Sequence, residues 1–417
     1  MDAWRPDVRD ADPLNKAAGL SGMATDTAIP PRPARPPPWH DARIRGIVYQ
    51  ILFVAVVVAF VAFLVHNTLV NLRRQNIASG FGFLDREAAF GIGESLIAYS
   101  PADTYARAFL VGLLNTLYVS ALGIVLATVL GTVMGIARLS SNWLIRKLAQ
   151  VYVETFRNIP LLLQLFFWWA LLREGAPAPR QAWELLPGVL VSNRGFVYPV
   201  PTADPVHHWM LLAFALGIAG AIGVSRWSKR RQALTGAQFP TGWVGAALIL
   251  GLPLLVFIAA GMPLQLDWPE LKGFNFVGGG AVSPEFAALL IGLTIYTGSF
   301  VAEIVRAGIL AVSWGQSEAA SALGLKPGQC MRLIVLPQAL RVIVPPMTSE
   351  YLSLTKNSSL AVAIGYPDLV SIANTTMNQT GQAVEGIAMI MAVYLAISLL
   401  ISLFMNLYNR AVALVER

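Results

Sequence analysis

Cysteine is almost absent: Cys330 stands alone among 417 residues. One thiol excludes an internal disulfide, a four-cysteine metal site and an iron–sulfur cluster. Histidine is nearly as scarce, and His40, His66, His207 and His208 show no metal-ligand spacing, so no metal is expected. His207-His208 reads as a solvated pair at an interface. The dipeptide Gly-Lys does not occur, which excludes the phosphate-binding loop built on Gly-Lys-Ser/Thr. No His-Glu-x-x-His run, carboxylate pair or Ser/His/Asp arrangement indicates catalysis, and no enzymatic activity is expected of the isolated chain. Charge is sparse too, at 13% of residues. So few charges over long uncharged runs do not suit a soluble chain of this length.

Apolar residues fill the gap, at 56% of the chain, with a mean hydropathy of +0.60. Several runs approach the roughly 20 residues a helix needs to cross a bilayer. They are continuous rather than alternating, which argues against a closed barrel. The fold class expected is an all-α polytopic membrane protein with about eight transmembrane helices, at 47–65, 109–137, 150–172, 209–225, 243–261, 285–312, within 333–365, and 386–408. The short 209–225 and 243–261 runs could form a re-entrant pair, but spanning is the reading adopted. Residues 1–46 are polar and proline-rich (Pro30, Pro31, Pro33, Pro36, Pro37, Pro38), a composition that favours a disordered tail. The run that follows lacks a cleavage site and reads as an extra, uncleaved transmembrane helix, 47–66.

The net charge of +7 does not point to nucleic acid here, because the basic residues lie in loops. With the amino terminus inside, 18 Lys and Arg fall on inside segments and 8 on outside segments. This bias predicts both termini in the cytosol and an even number of crossings. The expected plan is a cytosolic tail 1–46, a periplasmic loop 67–108, a membrane domain 109–408 with an inserted two-helix segment 173–283 and a cytosolic loop 313–335, and a cytosolic carboxyl terminus 409–417.

That loop is the most ordered polar stretch. Ser313-Trp314-Gly315-Gln316 has capping-box spacing and predicts a helix from Trp314 to about Leu323. Gly324 suits a left-handed cap, Leu325 its accompanying hydrophobic contact, and Pro327 is expected to stop the helix. Ala319 and Ala320 would let another backbone approach closely, Trp314 and Leu323 offer apolar contact, and Glu318 a fixed charge. On these caps alone the segment is either a docking element or a plain connection.

The spacing Glu318-Ala319-Ala320, three residues, Gly324, nine residues, Ile334, one residue, Leu336-Pro337 resembles the coupling motif of ABC importer permeases. Residues 152–164 (YVETFRNIPLLLQ), 337–341 (PQALR), 354–360 (LTKNSSL) and 408–410 (YNR) are similar to the polar-amino-acid branch of that family, and the resemblance extends over most of 105–410. The added first helix and the insertion look like the larger permease subunits of general amino-acid or glutamate/glutamine/aspartate/asparagine importers. The resemblance implies a five-helix permease core in a bacterial inner membrane and a second, heterodimeric permease subunit. It implies a periplasmic amino-acid binding protein, and an ATP-binding subunit that holds ATP-Mg and docks on 318–325. Glu318, Ala319, Ala320, Leu323, Gly324, Leu325 and Pro337 would then carry the coupling. A stand-alone secondary transporter is the alternative, though no inverted repeat is visible. A membrane scaffold is a third reading.

Polar residues inside the spans need a reason, since a charge in hydrocarbon costs at least about 2.5 kcal/mol. Glu303 and Arg306, three apart, read as a structural ion pair on one helix face. Thr355, Lys356, Asn357 and Ser358 follow Pro345-Pro346, which are expected to kink their helix. This cluster lines either a substrate path or a subunit interface. Asn115 and Thr116 are further path candidates. Gly123, Gly131 and Gly135 read as a close-packing face, and Trp168-Trp169 as part of an aromatic belt.

Overall fold

The computed structural model describes residues 42–74, 79–202, 204–262 and 265–412. Most of the expected tail and residues 413–417 lie outside the described residues. Two compact units divide near residue 71. The first is helix α1 (Ala42–Arg74), apolar on every side and ending in Arg73 and Arg74.

The second unit contains α2 (Tyr105–Ala137), α3 (Trp143–Asn158), α4 (Leu161–Glu174), α5 (Pro205–Thr235), α6 (Thr241–Ala259), α7 (Pro284–Leu310), α8 (Trp314–Ala322), α9 (Pro327–Cys330), α10 (Leu336–Asn357), α11 (Leu369–Thr380) and α12 (Ala383–Val412). Together with α1, seven helical segments among the described residues are long and apolar enough to cross a membrane, or eight if α3 and α4 count as one span. Helix α7 is the axis of the core. It packs against α2, α3, α4 and α10, burying Leu289, Leu293, Val301 and Val305. The glycine face on α2 lets α7 come close: a Cβ on Gly131 would lie 2.5 Å from the Val301 Cβ, and one on Gly135 would lie 2.6 Å from the Ala302 carbonyl.

Residues 150–172 do not form one continuous span. The chain breaks at Ile159-Pro160, and α3 and α4 meet at 106°. Pro160 has no N–H and holds Ile159 extended at φ −96° and ψ 126°. Gln164 heals the break, its Nε2 donating to the Phe156 and Ile159 carbonyls at 2.9 and 3.0 Å. Pro345 and Pro346, by contrast, sit inside an uninterrupted α10. Trp168 and Trp169 are half-buried against the core rather than forming a free belt, and Trp169 Nε1 donates to Glu285. His207 is tied into a cap: its Nδ1 accepts from the Asp204 N–H at 3.2 Å.

The insertion holds more than two helices. It also contains strands β1 (Trp183–Leu186), β2 (Val189–Ser192), β3 (Gly195–Tyr198), β4 (Val200–Pro201), β5 (Leu266–Asp267), β6 (Glu270–Lys272), β7 (Asn275–Val277) and β8 (Gly280–Val282). One antiparallel sheet runs β1-β2-β3-β8, with Phe196 opposite Val282; β4 pairs with β5, and β6 with β7. The pairs β3–β8 and β4–β5 join the segment before α5 to the segment after α6. Both loops therefore lie on one side, and α5 and α6 go out and return. Loop 79–104 joins the same face, since Asn115 Nδ2 donates to the Glu94 and Pro367 carbonyls at 2.9 Å each. Helix α8 follows the far end of α7, about 40 Å away at 1.5 Å per residue.

On the loop face, Asp368 caps α11. Its Oδ1 accepts from the Ser371 N–H at 2.8 Å, while its Oδ2 is buried without a partner among the described residues. Burial pushes the carboxyl up from 3.8 to about 7, against the opposing pull of backbone N–H bonds. The protonated form is thus favoured by folding. Its contribution is complete below the unfolded value and is lost as pH rises through the folded one. The thermal midpoint of the protein is expected to fall between about pH 4 and pH 7 and then level off. Asp368→Asn keeps the cap acceptor and should remove that slope, as scanning fluorimetry across pH would show.

Candidate functional site

Helix α8 is held by very little. Ser313 occupies its N-cap position without a side-chain cap bond, so the capping box expected there does not form. The opposite end is well made. Gly324 adopts φ +79°, its N–H reaches the Ser321 carbonyl at 2.9 Å, and the Leu325 N–H reaches the Ala320 carbonyl at 3.1 Å. This pair of bonds is a Schellman motif, and Leu325 folds back beside Ala320 as such motifs favour.

Ala320 is 3% exposed and packs with Cys330 and Val335. It therefore anchors α8 to its own chain and does not offer itself to a partner, as the sequence reading supposed. Ala319 and Glu318 do face outward, together with Trp314 at 77% and Leu323 at 82% exposure. Two large apolar side chains so exposed, one at the start of a nine-residue helix and one at its C-cap, form an unpartnered surface.

Pro327 starts a helix rather than only ending one. It occupies the first position of α9, where a missing N–H is harmless. The chain then runs through a π-helical turn, Met331–Val335, into α10, so this span begins ahead of the expected 333. Pro337 explains the turn. Its ring would clash with the carbonyl four residues back and it has no N–H to offer, and one wider turn relieves both problems. Gln338 Nε2 donates to the Ile334 carbonyl at 3.1 Å and to Gln316 Oε1 at 3.4 Å, linking α10 to α8. Pro337 itself is exposed.

The Glu303–Arg306 pair is present, and it has a third member. Arg138, capping α2, donates to Glu303 Oε2 while Arg306 donates to Oε1, so one carboxylate ties α2 to α7 near the α8 end. The proposed path residues do not form one cluster. Thr355 and Ser358 are buried and bonded to the Tyr351 and Thr355 carbonyls, whereas Lys356 is exposed and Asn357 half-buried. Thr116 is buried and accepts from the Leu369 N–H at 3.1 Å. Asn115 is spent on loop carbonyls, but it also borders a cavity on the loop face. No cluster of three or more metal-ligating side chains exists among the described residues.

The family described as binding-protein-dependent transport system inner membrane component matches residues 248–414. The chain is 52% identical over 378 residues to the general L-amino acid transport system permease protein AapQ of Rhizobium johnstonii, covering 91% of this chain and 94% of that protein. It is 53% identical over 375 residues to the putative amino-acid ABC transporter permease protein YhdX of Escherichia coli (strain K12), covering 90% and 95%. It is 44% identical over 411 residues to the glutamate/glutamine/aspartate/asparagine transport system permease protein BztB of Rhodobacter capsulatus, covering 91% and 96%. Among solved structures, a crystal structure of an amino acid ABC transporter with histidines has 22% identity and a TM-score of 0.44, covering 74% of this chain and 95% of that one. The sequence relationships carry the assignment: this chain belongs to the permease proteins of amino-acid ABC transporters.

Proposed function

We propose that the chain is the transmembrane subunit of an ATP-driven importer of polar or general L-amino acids. Helix α8 docks in a separate ATP-hydrolysing subunit on the cytosolic side, with both termini of this chain in the cytosol. ATP-Mg binds to that partner, since this chain lacks the Gly-Lys of a phosphate loop. A second permease subunit completes the pathway, and a periplasmic binding protein delivers the amino acid to the loop face. Closure of the ATPase pair moves α8 and, through α7 and α10, opens the cavity outward by rigid-body gating.

The observation that carries this reading is α8 itself. It exposes Trp314, Glu318, Ala319 and Leu323 at the end away from the loops, and it rests on the chain through Ala320 and Leu325. A connecting turn would have no need of so much unpaired apolar surface. The Glu303 link between α2 and α7 supports movement of those helices as one body.

Reconstitution of the chain with an ATPase subunit, a second permease and a binding protein isolated with it should give uptake that requires ATP on the α8 side. An ion gradient without ATP should give none. Uptake driven by an ion gradient alone would replace this reading with a stand-alone secondary transporter.

A further inference from the structure

A cavity of about 490 Å³ opens on the loop face. Three separate parts of the chain build it. Loop 79–104 supplies Glu94, the helices supply Tyr118 from within α2 and Phe286 from the outer end of α7, and the inserted hairpin supplies Arg194. Its size falls within the usual 300–1,000 Å³ of small-molecule sites.

Its two charges are of opposite sign, and they do not meet. No ion pair joins Glu94 to Arg194, and the Arg194 guanidinium has neither a hydrogen bond nor a carboxylate partner among the described residues. Glu94 is held at two points. Its carbonyl accepts from Asn115, and its Oε1 accepts from the Ser283 N–H at 3.2 Å. Burial holds its carboxyl above the ordinary value, the condition of a carboxylate short of a cation.

Arg194 is held by its backbone. It lies in the turn between β2 and β3, next to Gly195 at φ +106°. A Cβ on Gly195 would lie 2.0 Å from the Val282 carbonyl, so the turn is pressed directly onto β8 and cannot drift. Aromatic side chains also line the cavity. Tyr118 stacks on Phe286 at 5.4 Å, and Tyr366 lies against Phe286 at 5.8 Å.

We propose that this cavity is a receiving subsite for the zwitterionic head of a free α-amino acid, with Glu94 taking the α-ammonium and Arg194 the α-carboxylate. A lone amine would meet Arg194 unpaired, and a lone carboxylate would meet Glu94. Only a molecule carrying both charges satisfies both walls. The aromatic surface makes no specific demand on the side chain. The insertion thereby gains a role, because it supplies the cation that the core lacks. This proposal rests on the importer reading above.

The test uses the whole importer in nanodiscs without its binding protein, and measures binding of radiolabelled L-glutamine. Two probes each lack one charge: 4-aminobutanamide has no carboxylate, and glutaramate has no ammonium. The wild-type assembly should bind L-glutamine saturably and neither single-charge probe. Glu94→Gln keeps an acceptor for the Ser283 N–H, so it isolates the charge, and binding should weaken at least tenfold. Arg194→Gln should do the same, while Arg194→Lys retains part of the affinity. Assembly and melting temperature of each variant confirm folding. Unchanged affinity in folded Glu94→Gln and Arg194→Gln, or no saturable wild-type binding, overturns the subsite. If ATP-driven uptake by the wild type persists in that case, the importer reading stands. If the wild type shows no ATP-driven uptake, the importer reading fails on its own account.

Discussion

Gly324→Pro should reduce ATP-driven uptake more than tenfold while the protein still reaches the membrane in normal amount. The residue sits at φ +79°, where any other L-residue carries about 1–2 kcal/mol of strain. Proline cannot reach it at all, because its ring fixes φ near −65°. It also removes the N–H that closes on the Ser321 carbonyl. Without that bond the last turn of α8 loses its stop, and Leu325 no longer folds back beside Ala320. Little of the membrane core is involved, since Ala320 is the buried residue of α8. Stability and assembly should therefore hold while transmission fails. Under the proposed function, ATP hydrolysis by the partner subunit should continue while uptake fails. Gly315→Ala is the matched control. That glycine lies in the same helix with nothing within 4 Å of a new Cβ, and alanine favours helix by about 1 kcal/mol. Wild-type uptake by Gly324→Pro would rule out α8 as the coupling element.

The extent of α8 was legible because its end depends on one residue type. A glycine after an alanine-rich run, followed by leucine, is a local signal, and the helix stops within a residue of the expected place. The spanning helices were legible for a similar reason: hydrocarbon imposes composition on each segment alone. The readings that failed depend on side-chain contacts that residue type alone does not announce. Ala320 looks identical to Ala319 in the chain, and only the packing of Cys330 and Val335 shows that it turns inward. The bend at Pro160 requires Gln164 to take the freed carbonyls, and a glutamine four residues on gives no hint of that.

The strands could have been found. Residues 189–198 carry β-branched and aromatic side chains, bounded by Pro187-Gly188 and split by Asn193-Arg194-Gly195. That is a hairpin pattern within an insertion read as a two-helix segment. The pairing of β3 with β8, more than 80 residues apart, was not readable from either segment. Asn115 lay between these cases. Its polarity within an apolar run marked it as special, but its partners, the Glu94 and Pro367 carbonyls, make it a clamp for the loop face.

The core should be most sensitive at Gly131. Gly131→Ala is expected to destabilise the assembly by about 1–3 kcal/mol or more, and Gly131→Leu to prevent its accumulation. An alanine Cβ there would lie 2.5 Å from both Cβ and Cγ1 of Val301 and 2.7 Å from the Gly298 carbonyl. Neither neighbour can yield easily. Val301 is fully buried and β-branched, and the carbonyl belongs to the backbone of α7. The helices must then separate, and α2 also packs on α7 through Gly135 against the Ala302 carbonyl. Trimming Val301 should not rescue the variant: Val301→Ala keeps the offending Cβ, and the Gly298 carbonyl stays in place. Gly251→Ala in α6, where nothing lies within 4 Å, should melt with the wild type. Size-exclusion yield and melting temperature in detergent distinguish these outcomes, and a Gly131→Ala protein melting within about 1 °C of wild type would contradict the close approach. The consequence reaches α8, because α7 is the rod that joins the loop face to it. Once α2 is pushed off that rod, the Arg138–Glu303 contact near the α8 end is broken. Any Gly131→Ala protein that does assemble should therefore transport less than its abundance allows.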